Sequence, residues 1–198
     1  MIMIDIGRYN KLKDKYGACS SWTIWKEVGL TPKSNTGDMS IFNDANICDK
    51  LNDKYVFIGL NGSSTHGKQE VVPWKNFHSD YKGQNDFKLR FALKDTPFWG
   101  SYITDIIKRH LDVDSKNVMS YLKKNPDVVD RNIRIFEKEI DILSKEKPVL
   151  IAMGNNAFDI VNNYLGEEYK VLKIIHYSHF IGKEKYRKSV KEALSELY

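Results

Sequence analysis

Cysteine is nearly absent: Cys19 and Cys48 are the two in 198 residues, they form no CxxC pair, and no secretory apolar region precedes them. That argues against a disulfide framework and against a cysteine-held cluster, and it leads us to expect a cytoplasmic protein. Long apolar runs are missing as well; the longest fall far short of the roughly 20 residues needed to cross a bilayer, so no membrane span is expected. Strong charge of either sign is missing too, because 31 Lys plus Arg against 26 Asp plus Glu leave a net of +5. A polyanion partner is compatible with that excess without being required by it. His66, His78, His110 and His179 lack the close pairing of metal ligands, so neither a metal nor any other cofactor is expected. The stretch GLNGSSTHGK has neither the dinucleotide nor the P-loop spacing, and no G-x-S-x-G elbow occurs.

Apolar residues at 41% and charged residues at 29% are ordinary globular values. With no repeat and no low-complexity linker, residues 1–198 read as one domain, in which residues 1–50 are an N-terminal elaboration. That elaboration carries Trp22 and Trp25 in SSWTIWKEVG and then the turn-forming TPKSNTGD. From residue 55 a rhythm begins. Tyr55 to Leu60, Ser101 to Ile107, Val149 to Met153 and Val171 to Ile175 read as strands. Between and after them, residues 85–93, 157–165 and 184–197 read as helices, and Val129, Ile133, Phe136, Ile140 and Leu143 recur at helical spacing. Apolar strands alternating with helices predict an α/β fold: three layers, α/β/α, around a four-stranded parallel sheet. Between Lys170 and Lys191 stand seven basic residues and one acidic, Glu184. This is either a solvated face or one that meets phosphates, with Lys185, Arg187 and Lys188 as the candidates.

In open α/β sheets ligands bind beyond the carboxyl ends of the strands, so the four strand exits are the places to search. They read GLNGSS, YITDIIK, AMGNNA and IHYSHF. In this order they resemble the uracil-DNA glycosylase superfamily, whose first strand ends in Gly-x-Asp-Pro or Gly-x-Asn-Pro and whose last ends in His-Pro-Ser. Here the two motifs stand as Gly59-Leu60-Asn61-Gly62 and His176-Tyr177-Ser178, with Gly62 and Tyr177 in place of the prolines. YITDIIK is similar to the YITN-type segment that supplies a base-reading Asn, and has Asp105 at that place. The resemblance covers residues 55–198.

Breaking an N-glycosidic bond develops positive charge on the sugar and negative charge on the leaving base. The resemblance implies that Asn61 holds the attacking water, slowly because an amide is a poor base, and that His176 donates to the departing base. It implies an aromatic platform for a flipped base, with Trp74 and Phe77 as candidates. Phe77 is preferred, because His78 and Asp80 beside it suggest a solvent-facing cleft. Ser63, Ser64 and Ser178 are candidate nucleic-acid contacts, and the Ser178 to Ile181 stretch reads either as a phosphate contact with a wedge into the base stack or as a helix-entry loop with Phe180 buried. Asp105, taken as ionised, could only accept hydrogen bonds, which disfavours uracil against a base with an exocyclic amine; alternatively it caps the next element or pairs with Lys108 or Arg109. Two functions stay open: an N-glycosylase, or a nucleic-acid- or protein-binding module that lost the chemistry. The expected partner is nucleic acid, DNA rather than RNA, and the expected state is a monomer.

Overall fold

The computed structural model describes residues 4–62, 72–79, 81, 83–108, 110 and 112–198. Along the chain run α1 (Ile6–Tyr16), β1 (Ser20–Trp22), β2 (Asn52–Asn61), α2 (Asp86–Leu93), β3 (Ser101–Ile107), α3 (Ser115–Lys124), α4 (Pro126–Leu143), β4 (Val149–Met153), α5 (Asn155–Leu165), β5 (Val171–Ile174) and α6 (Lys183–Ala193). Local chemistry sets several of these boundaries. Asp5 caps α1 by accepting from the Arg8 backbone N–H at 2.9 Å. Pro126 opens α4, where the missing N–H costs nothing. The expected apolar spacing of α4 is realised: Val129, Ile133, Phe136, Ile140 and Leu143 are all buried.

Five strands form one sheet in the order β1-β3-β2-β4-β5. β2 pairs in parallel with both β3 and β4, and β4 pairs in parallel with β5. The expected four-stranded parallel sheet therefore needs correction, because β1 adds a fifth strand, antiparallel to β3, and the sheet is mixed. Its residues come from the stretch read as an elaboration. Such a short segment carries too little alternation to be legible as a strand; it is held by pairing Ser20 with Thr104 and Trp22 with Tyr102.

Period-2 alternation in the strands builds two cores. Val56, Ile58 and Leu60 of β2, with Tyr102, Ile106, Leu150 and Ala152, pack against α1, α3, α4 and α5. Phe57, Ile103, Ile151 and Met153 point the other way, into a second core closed by α2 and α6. Helices thus cover both faces. Behind β3, Glu139 of α4 is fully buried and accepts from the Tyr102 hydroxyl at 2.8 Å and the Thr104 hydroxyl at 2.9 Å. Lys108 pairs with the same carboxylate at 2.5 Å. Removing one partner of such a pair leaves a stranded charge and costs about 3–5 kcal/mol.

The chain passes from β2 to β3 on one side, then returns across β2 to place β4 on the other. The strand order reverses between β2 and β4, and a crevice opens at their carboxyl ends.

Candidate functional site

That crevice is a cleft of about 550 Å³. Asn61 reaches it from β2, Asp105 from β3, Gly154 and Asn155 from the β4–α5 junction, and His176 and Ser178 from the β5 exit. Phe77 and Asn76 complete it from the turn before α2. Five of the residues singled out in the sequence therefore share one cavity: Asn61, Phe77, Asp105, His176 and Ser178.

Alternation along β2 explains Asn61. Phe57, Gly59 and Asn61 lie on one face of the strand, the first in the core and the last in the cleft. The Asn61 Nδ2 donates to the backbone carbonyls of Gly62 at 3.0 Å, His110 at 3.0 Å and Asp112 at 2.9 Å. Three acceptors around one atom fix it as the amide nitrogen, so Oδ1 is the atom left to engage a ligand or a water. Gly59 pairs with Asp105 across the β2–β3 ladder. A Cβ on Gly59 would collide with Asp105 Oδ1, so the carboxyl occupies the space that this glycine leaves.

Asp105 is 2% exposed. Its Oδ2 accepts from the Asn76 Nδ2 at 2.9 Å, and that amide's other acceptor is the Cys19 carbonyl. Lys108 does not pair with the carboxyl: its Nζ donates to the Asp105 backbone carbonyl at 2.8 Å. Arg109, the other candidate partner, lies outside the described residues. Burial pushes the Asp105 carboxyl up to about 7, against the lowering effect of the Asn76 hydrogen bond and the Lys108 charge. The expectation of a permanently ionised Asp105 is corrected accordingly: around neutral pH the group exists as both acid and carboxylate.

At the β5 exit the Ser178 backbone N–H donates to His176 Nδ1 at 3.2 Å, with the Ser178 hydroxyl 2.7 Å from the same nitrogen. A nitrogen that accepts a backbone N–H carries no proton, so the neutral ring holds its proton on Nε2. Burial moves His176 down to about 4, which keeps it neutral across the physiological range. The ring lies over Tyr177, centroids 4.3 Å apart. Gly154, with φ at +89°, turns the chain into α5 with no side chain capping that helix, and its first residues line the cleft.

Phe77 and Trp74 part company. Both have left-handed backbone, φ 65° and 67°, which is strained for bulky residues. Trp74 is 1% exposed, donates from Nε1 to the Tyr9 hydroxyl at 2.9 Å and packs edge-on against Trp22 and Tyr102. It is core, and as a base platform it is ruled out. Phe77 faces the second core and the cleft. The ground for preferring it needs correcting as well, since His78 is fully buried and does not mark solvent.

Ser63 and Ser64 lie outside the described residues. Lys185, Arg187 and Lys188 stand on α6 and none lines the cleft. The Arg187 guanidinium donates to the Lys94 carbonyl at 3.3 Å and rests over the Phe91 ring, so it is engaged within the fold. Lys185 and Lys188 are exposed. Phe180, for which burial was one alternative, is fully exposed.

Asn76 is the site residue that sequence reading passed over. It sits in VVPWKNFHSD between two aromatics, and no local spacing signals a contact to residue 105. Among the described residues no group of three or more His, Cys, Asp or Glu is arranged to hold a metal ion, and no helix is long and apolar enough to cross a membrane. No protein-family model and no curated protein sequence matches the chain.

Proposed function

We propose that this protein has a uracil-DNA glycosylase-like architecture and recognises a single base in nucleic acid, DNA in preference to RNA, hydrolysing its N-glycosidic bond. It would act as a cytoplasmic monomer. The observation that carries this reading is the pairing, in one cleft, of a neutral histidine with its proton fixed on Nε2 and an Asn61 carbonyl oxygen whose amide nitrogen is tied down. In the reaction, water held by Asn61 Oδ1 attacks the sugar carbon and gives up a proton, which ends on the departing base. The bond to the base breaks with its electron pair going to the base, and His176 Nε2–H donates to the oxygen where that charge collects. Phe77 gives a stacking surface for the base. Phe180, exposed on the loop after His176, suits the gap a flipped base leaves in a duplex.

A cleavage screen tests this, using single- and double-stranded oligonucleotides carrying different modified bases, with Asn61→Ala and His176→Ala alongside. Strand scission after alkali, lost in both variants, supports the reading. Base-dependent binding without scission leaves a recognition module on the same fold, and neither binding nor scission overturns both.

A further inference from the structure

The loop that carries His176 and Phe180 bonds mostly to itself. The Ser178 N–H donates to His176 Nδ1 at 3.2 Å, the His179 N–H to the His176 carbonyl at 2.9 Å and the Ile181 N–H to the His179 carbonyl at 2.8 Å. Ser178, His179 and Phe180 are exposed, while Tyr177 and Ile181 pack on the second core. One hydrogen bond leaves the loop: Lys88 of α2 donates from Nζ to the same His179 carbonyl at 3.0 Å. Among the described residues it is the loop's only hydrogen bond to another element. Lys88 is 8% exposed, and its ammonium has no carboxylate partner among the described residues. A cation kept out of water against a neutral carbonyl is costly, and a methionine would fill the same space, so packing alone does not account for this lysine.

The same turn of α2 also holds the opposite wall of the cleft. Asp86, 4% exposed, accepts from the Ser79 N–H at 2.7 Å, two residues after Phe77. Asp86 and Lys88 are two positions apart, which at 3.6 residues per turn sets them about 200° apart around the helix. One side of α2 therefore fastens the turn that carries Phe77, and the other side fastens the loop that carries His176.

We propose that Lys88 is a positioning residue for base excision: by clamping the His179 carbonyl it sets where the His176 Nε2–H stands relative to a base lying on Phe77. This proposal rests on the base-excision reading above. Lys88 does not line the cleft and touches neither base nor sugar, so it acts through the loop. A donor works only within about 2.7–3.1 Å of the oxygen on which charge develops. A misplacement of about 1 Å costs about 10²-fold in rate. An exposed loop bonded to itself does not hold that tolerance unaided. With Lys88 and Asp86 on one rigid helical turn, the distance between donor and stacking ring is set by α2.

The test uses Lys88→Met, which removes the donor and keeps the apolar stem, and Lys88→Arg, which keeps a cationic donor. Exchange of the His179 and Ile181 amide protons, followed by NMR in the free protein, should speed up about 10-fold in Lys88→Met while amides of β4 keep their native rates. Urea unfolding should show no loss of stability, since an apolar residue replaces a buried charge. Single-turnover excision, on a single-stranded oligonucleotide carrying the base that the native protein removes best in the screen above, should slow about 10- to 100-fold. Affinity for that oligonucleotide should stay within about 3-fold, and Lys88→Arg should recover most of the rate. Lys88→Gln, polar but too short to reach the carbonyl, should behave as Lys88→Met and decides the matter if the latter does not fold. Unchanged amide exchange, excision at the native rate, a fall in affinity as large as the fall in rate, or a loss that Lys88→Arg leaves in full overturns the positioning role and leaves base excision standing. A native protein that removes no base from any oligonucleotide overturns the base-excision reading, and this proposal with it.

Discussion

Replacing Asp105 with Asn should stabilise the protein at alkaline pH and leave it nearly unchanged in acid. The carboxyl titrates at an ordinary 3.8 when unfolded and at about 7 when buried, so the folded state holds its proton more tightly. For a group raised in this way, stability is fully present below the unfolded value and is lost as pH rises through the folded one. About 3 units at about 1.4 kcal/mol each set a ceiling of about 4 kcal/mol for what ionisation removes, accrued between the two values and nearly complete by pH 7. Asn keeps the acceptor for the Asn76 amide and never ionises. The difference between variant and native protein should therefore grow from near zero at about pH 4 to as much as about 4 kcal/mol at about pH 8, or about 10 °C in melting temperature for a chain of this size. Urea unfolding at several pH values measures it. Buried His78, moved down to about 3, makes both proteins lose stability as pH falls below about 6.5, and it cancels in the difference. A variant-minus-native difference that does not change with pH would refute the reasoning.

His176→Ala should slow base excision by about 10²- to 10³-fold, the cost of losing one preorganised donor, while oligonucleotide binding changes far less; single-turnover kinetics separate the two. Gly59→Ala should fold with a loss of about 1–3 kcal/mol and lose discrimination among bases, because the new methyl displaces Asp105 Oδ1; thermal melts and anisotropy titrations with oligonucleotides that differ in one base check both halves. Reversing exposed Lys185 and Lys188 to Glu should weaken binding to all sequences alike and flatten the slope of log affinity against log salt by about 0.9 for each duplex phosphate that is no longer neutralised. Phe180→Ala should weaken binding to a duplex by about 10-fold and leave single strands almost unaffected, since only a stacked base needs a wedge.

The layout of the cleft was legible in the sequence because strand exits converge in a parallel sheet whatever their residues. GLNGSS and IHYSHF each follow an apolar run and place Asn61 and His176, whereas Asp105 lies inside β3 and reaches the cleft from the strand face opposite to Tyr102 and Thr104. What could not be read were the long-range pairings. Ser20–Trp22 is too short to show alternation, and its place beside β3 depends on Tyr102 and Thr104, some eighty residues later. Trp74 and Phe77 look alike in the sequence, two aromatics in one polar stretch. Only two left-handed excursions, at φ 67° and 65°, send one to each face. The protonation of Asp105 was misread for a similar reason, since a pKa follows from burial and a one-dimensional string holds no burial.

The turn that carries Phe77 is fastened from behind by the chain's first thirty residues. The Trp74 N–H donates to the Gly17 carbonyl and the Ser21 hydroxyl to the Trp74 carbonyl, while Trp25 Nε1 donates to the carbonyl of Phe77 itself. The Cys19 carbonyl holds the same Asn76 amide that grips Asp105. The edge of the sheet opposite to β5 thus works as the back plate of a vice whose jaw is the aromatic ring. Drift in this short edge would be felt first as a change in the shape of the cleft, before any loss of the fold. Substitutions in residues 17–25 can thus reshape the cleft without lining it.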